Sequence, residues 1–426
     1  MRMLTPTLAF CVLLAACGAD EKSPVDSELS YTPYQSSLAR DTSPDIDNAE
    51  FEQLVQDNNQ FALNLFHKLR ADTQQDVVTS PLSISTALAM TYAGAGGETK
   101  QQMAQALRFN QNDTLLHAGF NRLLAEIDAR NLRATDTLDA LNIQIVNAIW
   151  PALGTTPAQD FLDTLAVNYG EGIYALDYRN EPDMARKVIN DSVADWTNGL
   201  ITDLLPQNSI TPLTKVVLTN TIYLKAPWKS PFSAPRTQPE NFTNLDGSVS
   251  TPATMTTQAT AYYSNNDDAE ILILPFRGDE LEMAFVMPST GNFNAYLDQL
   301  VSMETLAAQL DAARQITARV QLPKFKTEFE ASLIKPMQNL GMTDAFSDMA
   351  DFVAMGLAPD LRLTAIQHKA IIEVDEDGVV AAAATAAVGG TTSGPTPVSV
   401  NRPFIHLIRD RTTGAILFFG TITHLE

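Results

Sequence analysis

Several residues in this 426-residue chain are of types that perform chemistry, and their spacing tests each possibility in turn. His368 with a serine is the raw material of a base and nucleophile, but no Gly-x-Ser-x-Gly elbow presents such a serine. Glu373, Asp375, Asp377 and Gly378 occupy the first, third, fifth and sixth positions of a calcium-loop spacing. The twelfth position is Ala384, where a bidentate Glu is required, so calcium is rejected. Five His residues without a His-Glu-x-x-His segment or a cysteine pair give no ligand set for catalytic zinc. Gly94-Ala95-Gly96-Gly97 ends a helical pattern and no Gly-Lys-Ser/Thr follows, so it reads as a C-cap and turn, not as a phosphate cradle.

Cys17 has a different chemistry. Met1-Arg2-Met3 is a short basic start, Leu4 to Ala16 is mostly apolar with small residues at its end, and the run is too short to span a bilayer. Leu14-Ala15-Ala16-Cys17 resembles the bacterial lipobox, in which a signal peptidase cuts before a cysteine carrying a diacylglyceryl thioether. The expectation is a signal peptide over 1–16, lipid on Cys17 and a disordered tether over 17–48, rich in Ser, Pro, Asp and Glu, leading to a domain over 49–426. The protein is then secreted across the inner membrane and held at the bacterial cell envelope, at the outer membrane or cell surface if Gly18 is read as a sorting signal. An ordinary secretory signal with an incidental cysteine is the alternative. Cys11 falls in the removed peptide, so no disulfide is expected and stability must come from packing.

The elements that would position these residues follow from periodicity. Phe51, Leu54, Val55, Phe61, Leu65 and Leu69 recur at helical spacing. Thr79 and Ser80 precede Pro81 in a capped start, with Ile84, Leu88 and Met90 behind it. Asn142 to Trp150 and Lys215 to Leu224 are apolar and β-branched, as central strands of a covered sheet are. Glu270 to Pro275 and Glu282 to Met287 flank Arg277-Gly278-Asp279 as a hairpin, and Phe404 to Ile408 with Ile416 to Thr423 form another. Strands and helices mixed without regular alternation predict an α+β domain.

The stretch from Ile371 to Asn401 breaks this pattern. After the strand-like Ala370 to Val374 come Asp375, Glu376, Asp377 and Gly378, then Val379, Val380, Ala381, Ala382, Ala383, Ala384 and Thr385. Gly389 to Pro397 has neither a hydrophobic stripe nor a fixed turn type. A weakly structured run of about twenty residues inside a compact domain is usually functional or disordered.

Glu376-Asp377-Gly378 followed by the alanine run and Thr385 resembles the hinge of the inhibitory serpins. The resemblance extends from about residue 50 to Glu426. Ser80 to Ile84 resembles that family's helix B start, and Thr219 to Lys225 with Trp228 its third strand of sheet A. Asn190 to Pro206, Leu322-Pro323-Lys324-Phe325, Asn401-Arg402-Pro403-Phe404 and Gly414 to Phe418 continue the match in order. The fold implied has three β-sheets, about eight or nine surrounding helices and an exposed reactive-centre loop over about 376–400.

Carried across residue by residue, the resemblance makes Glu376 to Thr392 the seventeen-residue span that ends at the bait bond, Thr392-Ser393. A serine protease with a pocket for small or β-branched side chains, elastase-like or subtilisin-like, is the implied covalent partner. In the implied mechanism the protease acylates itself on the bait, and the loop then inserts into sheet A as a new strand. Seventeen extended residues reach roughly 55 Å. The hinge begins at Glu376, Asp377 and Gly378 and runs through Thr385. Val379 and Val380 depart from the usual Thr or Ser and Glu of inhibitory members, but favour strand. Ser80, Ser83, Asn220 and His368 resemble the structural shutter beneath the sheet, and Trp228 the aromatic residue at its opening end, the breach.

The formal charge of -22, from 28 basic and 50 acidic side chains, excludes a phosphate-neutralising surface and with it nucleic acid. No cofactor is implied, and a monomer is expected. A protease inhibitor is the leading reading. A non-inhibitory member of the same fold, acting as a cleavable substrate or binding protein, is the alternative. An envelope hydrolase rests only on secretion and size.

Overall fold

The computed structural model describes residues 31–73, 75–136, 138–154, 156–379 and 394–426. Cys17, the bait bond Thr392-Ser393 and the hinge residues Val380 to Thr385 lie outside the described residues.

The chain enters through a three-residue strand, β1 (Thr32–Tyr34), and a long helix, α1 (Asn48–Asp72), whose Asp47 carboxylate caps the Glu50 N–H. Next come β2 (Val78–Thr79) and α2 (Pro81–Tyr92). All twelve residues of α2 are buried, which places this helix behind the main sheet. The glycine cluster does form the turn: α2 ends at Ala93, and Gly96 caps α3 (Gly97–Leu107). Its spacing reflects close packing, because a Cβ on Gly94 would lie 2.1 Å from the Met355 side chain. Then follow α4 (Asp113–Asp128), β3 (Asn142–Pro151), α5 (Gln159–Tyr169), β4 (Ile173–Ala175), α6 (Pro182–Trp196) and β5 (Val216–Pro227).

The second half is mostly strand: β6 (Gln238–Pro239), β7 (Phe242–Thr243), β8 (Val249–Ser250), β9 (Ala253–Asn265), β10 (Ala269–Pro275) and β11 (Leu281–Pro288). After α7 (Phe293–Gln299) and α8 (Met303–Asp311) come β12 (Arg314–Pro323), β13 (Phe325–Ser332), α9 (Ile334–Asn339), β14 (Ala365–Val374) and β15 (Gly378–Val379). The chain closes through β16 (Thr396–Ser399), β17 (Phe404–Asp410) and β18 (Ile416–Ile422). Both predicted hairpins are present, as β10–β11 and β17–β18.

Among the described residues, nine α-helices surround three sheets, an α+β fold. The main sheet runs β1-β4-β3-β5-β15-β14-β13. The second contains β16-β12-β9-β10-β11-β17-β18-β2, and β7 with β8 form the third. One core cluster fills the space behind the main sheet, and a smaller one, around Trp150, Ile189 and Leu205, lies under α6.

Two boundaries differ from the sequence expectation. Residues 31–47 were expected to be tether, yet they dock: β1 adds a strand to β4, Asp41 N–H donates to Val167 O at 2.8 Å, and Tyr31 packs on Tyr174 at 5.1 Å. Isolated aromatic anchors hold this strap without any repeating period. The predicted loop over 376–400 is also shorter than expected, because Gly378–Val379 and Thr396–Ser399 at its two ends are strands. No helix among the described residues is long and apolar enough to cross a membrane.

Candidate functional site

Strands β5 and β14 are parallel neighbours and pair directly over Val217–Asn220 and Ala365–His368. Above His368 they part. Six residues further along each strand, Val379 of β15 lies between them, opposite Ala226 on one side and Val374 on the other. The main sheet therefore contains a cleft, closed at one end by direct pairing and wedged at the other by the first residues of the loop.

The closed end is a cluster of buried polar groups on the core side of the sheet. Ser80 backbone N–H donates to His368 Nε2 at 3.3 Å, so that nitrogen must be the acceptor and the ring proton sits on Nδ1. Nδ1–H donates to Asn220 Oδ1 at 2.8 Å. Asn220 Nδ2 donates to Ser83 Oγ at 2.6 Å and to Asn147 Oδ1 at 2.7 Å, and Ser83 Oγ donates to Thr221 O at 3.0 Å. Burial drives the His368 pKa down to about 3, so the ring is neutral. A neutral His between an amide and a backbone N–H, with no serine hydroxyl on its basic nitrogen, is no hydrolytic dyad. Ser80 joins the cluster through its backbone, not its hydroxyl.

The wedged end is a turn held by many bonds. The Asp375 carboxylate accepts from the N–H groups of Asp377 and Gly378 at 3.0 and 3.1 Å, which uses the oxygen that a calcium loop would need. Burial raises the Asp375 pKa. Trp228 Nε1–H donates to Asp375 O at 3.0 Å, and its ring stacks on Phe276 at 4.7 Å. The backbone N–H groups of Trp228 and Phe232 donate to Asp377 O and Glu376 O. Glu376 accepts from Lys324 Nζ and Thr237 Oγ1, each at 2.7 Å. Burial opposes ionisation of Glu376, but these bonds outweigh it and hold the carboxyl below its ordinary range. Gly378 is required by proximity, since a Cβ there would lie 2.2 Å from Ala226 O. On the other side of the loop, β16 runs parallel to β12, with Val398 opposite Val320.

A His–Asn–Ser cluster beneath the point where two sheet strands part is the arrangement the sequence resemblance implies; the leading residues of the loop lodged between those strands go beyond it. The family profile for Serpin (serine protease inhibitor) matches residues 56–425. This chain belongs to the serpin family. It is 33% identical over 396 residues to antithrombin-III of Mus musculus, covering 89% of this chain and 83% of the relative. Among solved structures it is similar to native tengpin, a thermophilic serpin, with a TM-score of 0.80 and 26% identity over 93% of this chain and 100% of that one. It is also similar to a thyroxine-binding globulin in complex with thyroxine, with a TM-score of 0.76 and 26% identity over 87% of this chain and 98% of that one. The fold is thus shared with a globulin that binds thyroxine, and family membership alone does not assign this serpin an inhibitory activity.

In this serpin the structure brings Ser80, Ser83, Asn220 and His368 together, and places Val379, with Trp228, Glu376, Asp377 and Gly378 beside it, six residues or ~20 Å further along the sheet by strand rise. Three members went unnoticed in the sequence. Asn147 stands out only as a polar residue inside an apolar strand; Lys324 and Thr237 lie far from Glu376 in sequence and carry no local signal. Among the described residues, no group of three or more His, Cys, Asp and Glu side chains could hold a metal ion.

Proposed function

We propose that this serpin is a suicide inhibitor of a serine-type protease. The observation that carries the reading is Val379, which already occupies the position of an inserted strand residue between Ala226 and Val374. Continuing that antiparallel register, Ala381 and Ala383 fall on the same core-facing side as Val379, and Thr385 arrives level with both Asn220 and His368. Parting the strands there breaks the His368–Asn220 bond. A threonine hydroxyl accepts one hydrogen bond and donates another, so Thr385 replaces what is lost.

The chemistry belongs to the protease. Its serine Oγ attacks the carbonyl carbon of Thr392, and the serine proton passes through the protease's own base to the Ser393 nitrogen as the amide breaks. An ester on Thr392 and a free amine on Ser393 result. Hydrolysis of that ester would release the protease, and insertion competes with it. From Val379 to Thr392 the loop travels ~43 Å at about 3.3 Å per residue. At ~1 kcal/mol net per added rung, about a dozen rungs are enough to oppose release and distort the attached enzyme. The native form is then kinetically trapped above the inserted one. Small residues around Thr392 favour an elastase-like or subtilisin-like target.

A second reading, a cleavable or ligand-binding member, is favoured by Val379 and Val380 in place of the usual hinge residues and by the likeness to a thyroxine-binding globulin. We also read Cys17 as the lipidated first residue of the mature chain, anchoring a monomer at the cell envelope.

Mixing the domain with elastase or subtilisin decides between the two. A denaturant-resistant band at the summed mass, with a released peptide starting at Ser393, is the expected result. Cleavage in the loop by either enzyme with no such band would support the second reading.

A further inference from the structure

Three consecutive amide side chains on α1 are used differently. Asn59 Nδ2 donates to Gly414 O at 2.9 Å, and Asn59 Oδ1 accepts from the Ile416 N–H at 3.1 Å. Gln60 Nε2 donates to Val301 O at 3.1 Å, and Gln60 Oε1 accepts from the Met303 N–H at 3.0 Å. Each of these amides fastens α1 to a separate segment. Asn58 is only 4% exposed, yet neither its Nδ2 nor its Oδ1 has a partner among the described residues. A buried amide left in that state costs more than a paired one contributes, so it calls for an occupant.

Asn58 lines a narrow crevice between α1 and the connection from α3 to α4, together with Asp57, Arg108 and Gln111 and the apolar Leu116 and Phe120. Gln111 donates through Nε2 to Glu50 O, but its Oε1 is buried and equally unpartnered among the described residues. The Asp57 carboxylate accepts from Gln53 Nε2 at 3.1 Å and from Arg108 Nε at 3.4 Å. Arg108 reaches it from a left-handed backbone, φ 59°, a conformation unfavourable to any residue with a Cβ. The crevice leaves about 10 Å³ for the centre of a water-sized sphere, enough for one water and nothing larger. Calcium fits this ligand set poorly, because it takes about six to eight oxygens and the one carboxylate here already meets a guanidinium.

We propose that this crevice is a binding site for one water molecule, which accepts from Asn58 Nδ2, donates to Gln111 Oε1 and gives its second hydrogen to the Asp57 carboxylate. Three bonds are the usual complement of a buried water, and two of the three orphaned atoms are satisfied at once. The molecule fastens α1 to the α3–α4 connection as Asn59 and Gln60 fasten it elsewhere. None of the crevice's described lining residues belongs to β5, β14 or β15, so the site acts on native stability and not on the loop, and it stands apart from the inhibitory reading.

The test compares calorimetric unfolding midpoints of the full chain with Asn58→Leu, with Gln111→Leu and with both. Each single variant is expected to lose about 1–3 °C, and the pair about 1–3 °C less than the sum, because both forfeit the same bridge. Gln111→Leu also loses its bond to Glu50 O, a cost that cancels in the comparison. A rise in midpoint on Asn58→Leu would overturn the site, since an apolar group of similar size in a dry crevice removes a desolvation cost. Strictly additive losses would overturn it too. Should the variants fail to fold, atomic-resolution diffraction from the unmutated chain decides. A density peak about 2.6–3.2 Å from both Asn58 Nδ2 and Gln111 Oε1 is expected. An empty crevice, or an anomalous peak there after a rubidium soak, would sink the water assignment.

Discussion

His368 Nδ1–H and Asn220 Oδ1, 2.8 Å apart, form the bond at the uppermost rung where β14 and β5 still pair directly. Asn220 also donates to Ser83 and Asn147, so one amide closes the sheet and fastens it to α2 and β3. Asn220→Ala leaves the His368 Nδ1–H buried without a partner and Asn147 Oδ1 with only the Ser83 hydroxyl, 3.4 Å away, at a cost of about 1–3 kcal/mol. The native unfolding midpoint should fall by several degrees in calorimetry. An unchanged midpoint would mean the cluster is not holding the sheet shut.

Thr385→Arg tests the register. The native midpoint is expected to stay within a degree or so. On arrival between Asn220 and His368, however, a guanidinium meets a buried site with no anion. Cleaved protein should then lack the large gain in heat stability expected of the parent, and covalent complex should give way to simple cleavage. A variant that still gains stability would place some other residue at that rung.

Gly378→Ala puts a methyl 2.2 Å from Ala226 O, which the backbone can relieve only by moving β15 out. A loss of about 1–3 kcal/mol is expected. Hydrogen exchange should accelerate at Ala226 and Val374, whose neighbour Val379 would leave, and not at His368. Uniform exchange changes, or none, would contradict the wedge.

Acid should weaken the native fold. Burial holds His117, His368 and His406 at pKa values of about 4, 3 and 3, below the ordinary value near 6.5 that each regains on unfolding. Folded values below unfolded ones mean a contribution that is complete above pH 6.5 and fades as pH falls toward the folded values, at ~1.4 kcal/mol per pH unit for each histidine. Glu171 acts in the opposite sense: burial raises it to about 7, so it takes up its proton in the fold and adds stability as pH drops from there toward the usual carboxylate range. Burial raises Asp76 and Asp375 as well, from a lower starting value, and the three histidines outweigh these carboxyls in the window above pH 4.5. The unfolding midpoint should decline between pH 6.5 and 4.5, and a flat or rising profile would refute this balance.

Much of this was legible because it is local. Asn142–Pro151 and Val216–Pro227 announce themselves as apolar, β-branched runs, and Pro81 marks the start of α2. Ser80, Ser83, Asn220 and His368 could be grouped only through the family resemblance. The strap over 31–47 was not legible, since Tyr31 and Tyr34 are single anchors whose partners lie more than a hundred residues away. The wedge was missed for a related reason: whether Val379 lies free or paired depends on how far β5 and β14 have already separated, and no local pattern encodes that. Lys324 sits in a recognised motif, yet its bond to Glu376 crosses 52 positions.

The stack of Trp228 on Phe276, with its indole N–H bound to Asp375 O, has an optical consequence. The chain has three tryptophans, and the other two, Trp150 on β3 and Trp196 at the end of α6, stack on each other at 5.7 Å. One chromophore therefore stands where the loop enters the sheet and a coupled pair stands near where it ends. Quenching or a spectral shift at Trp228 followed by one at the pair would time the passage of the strand without any added dye.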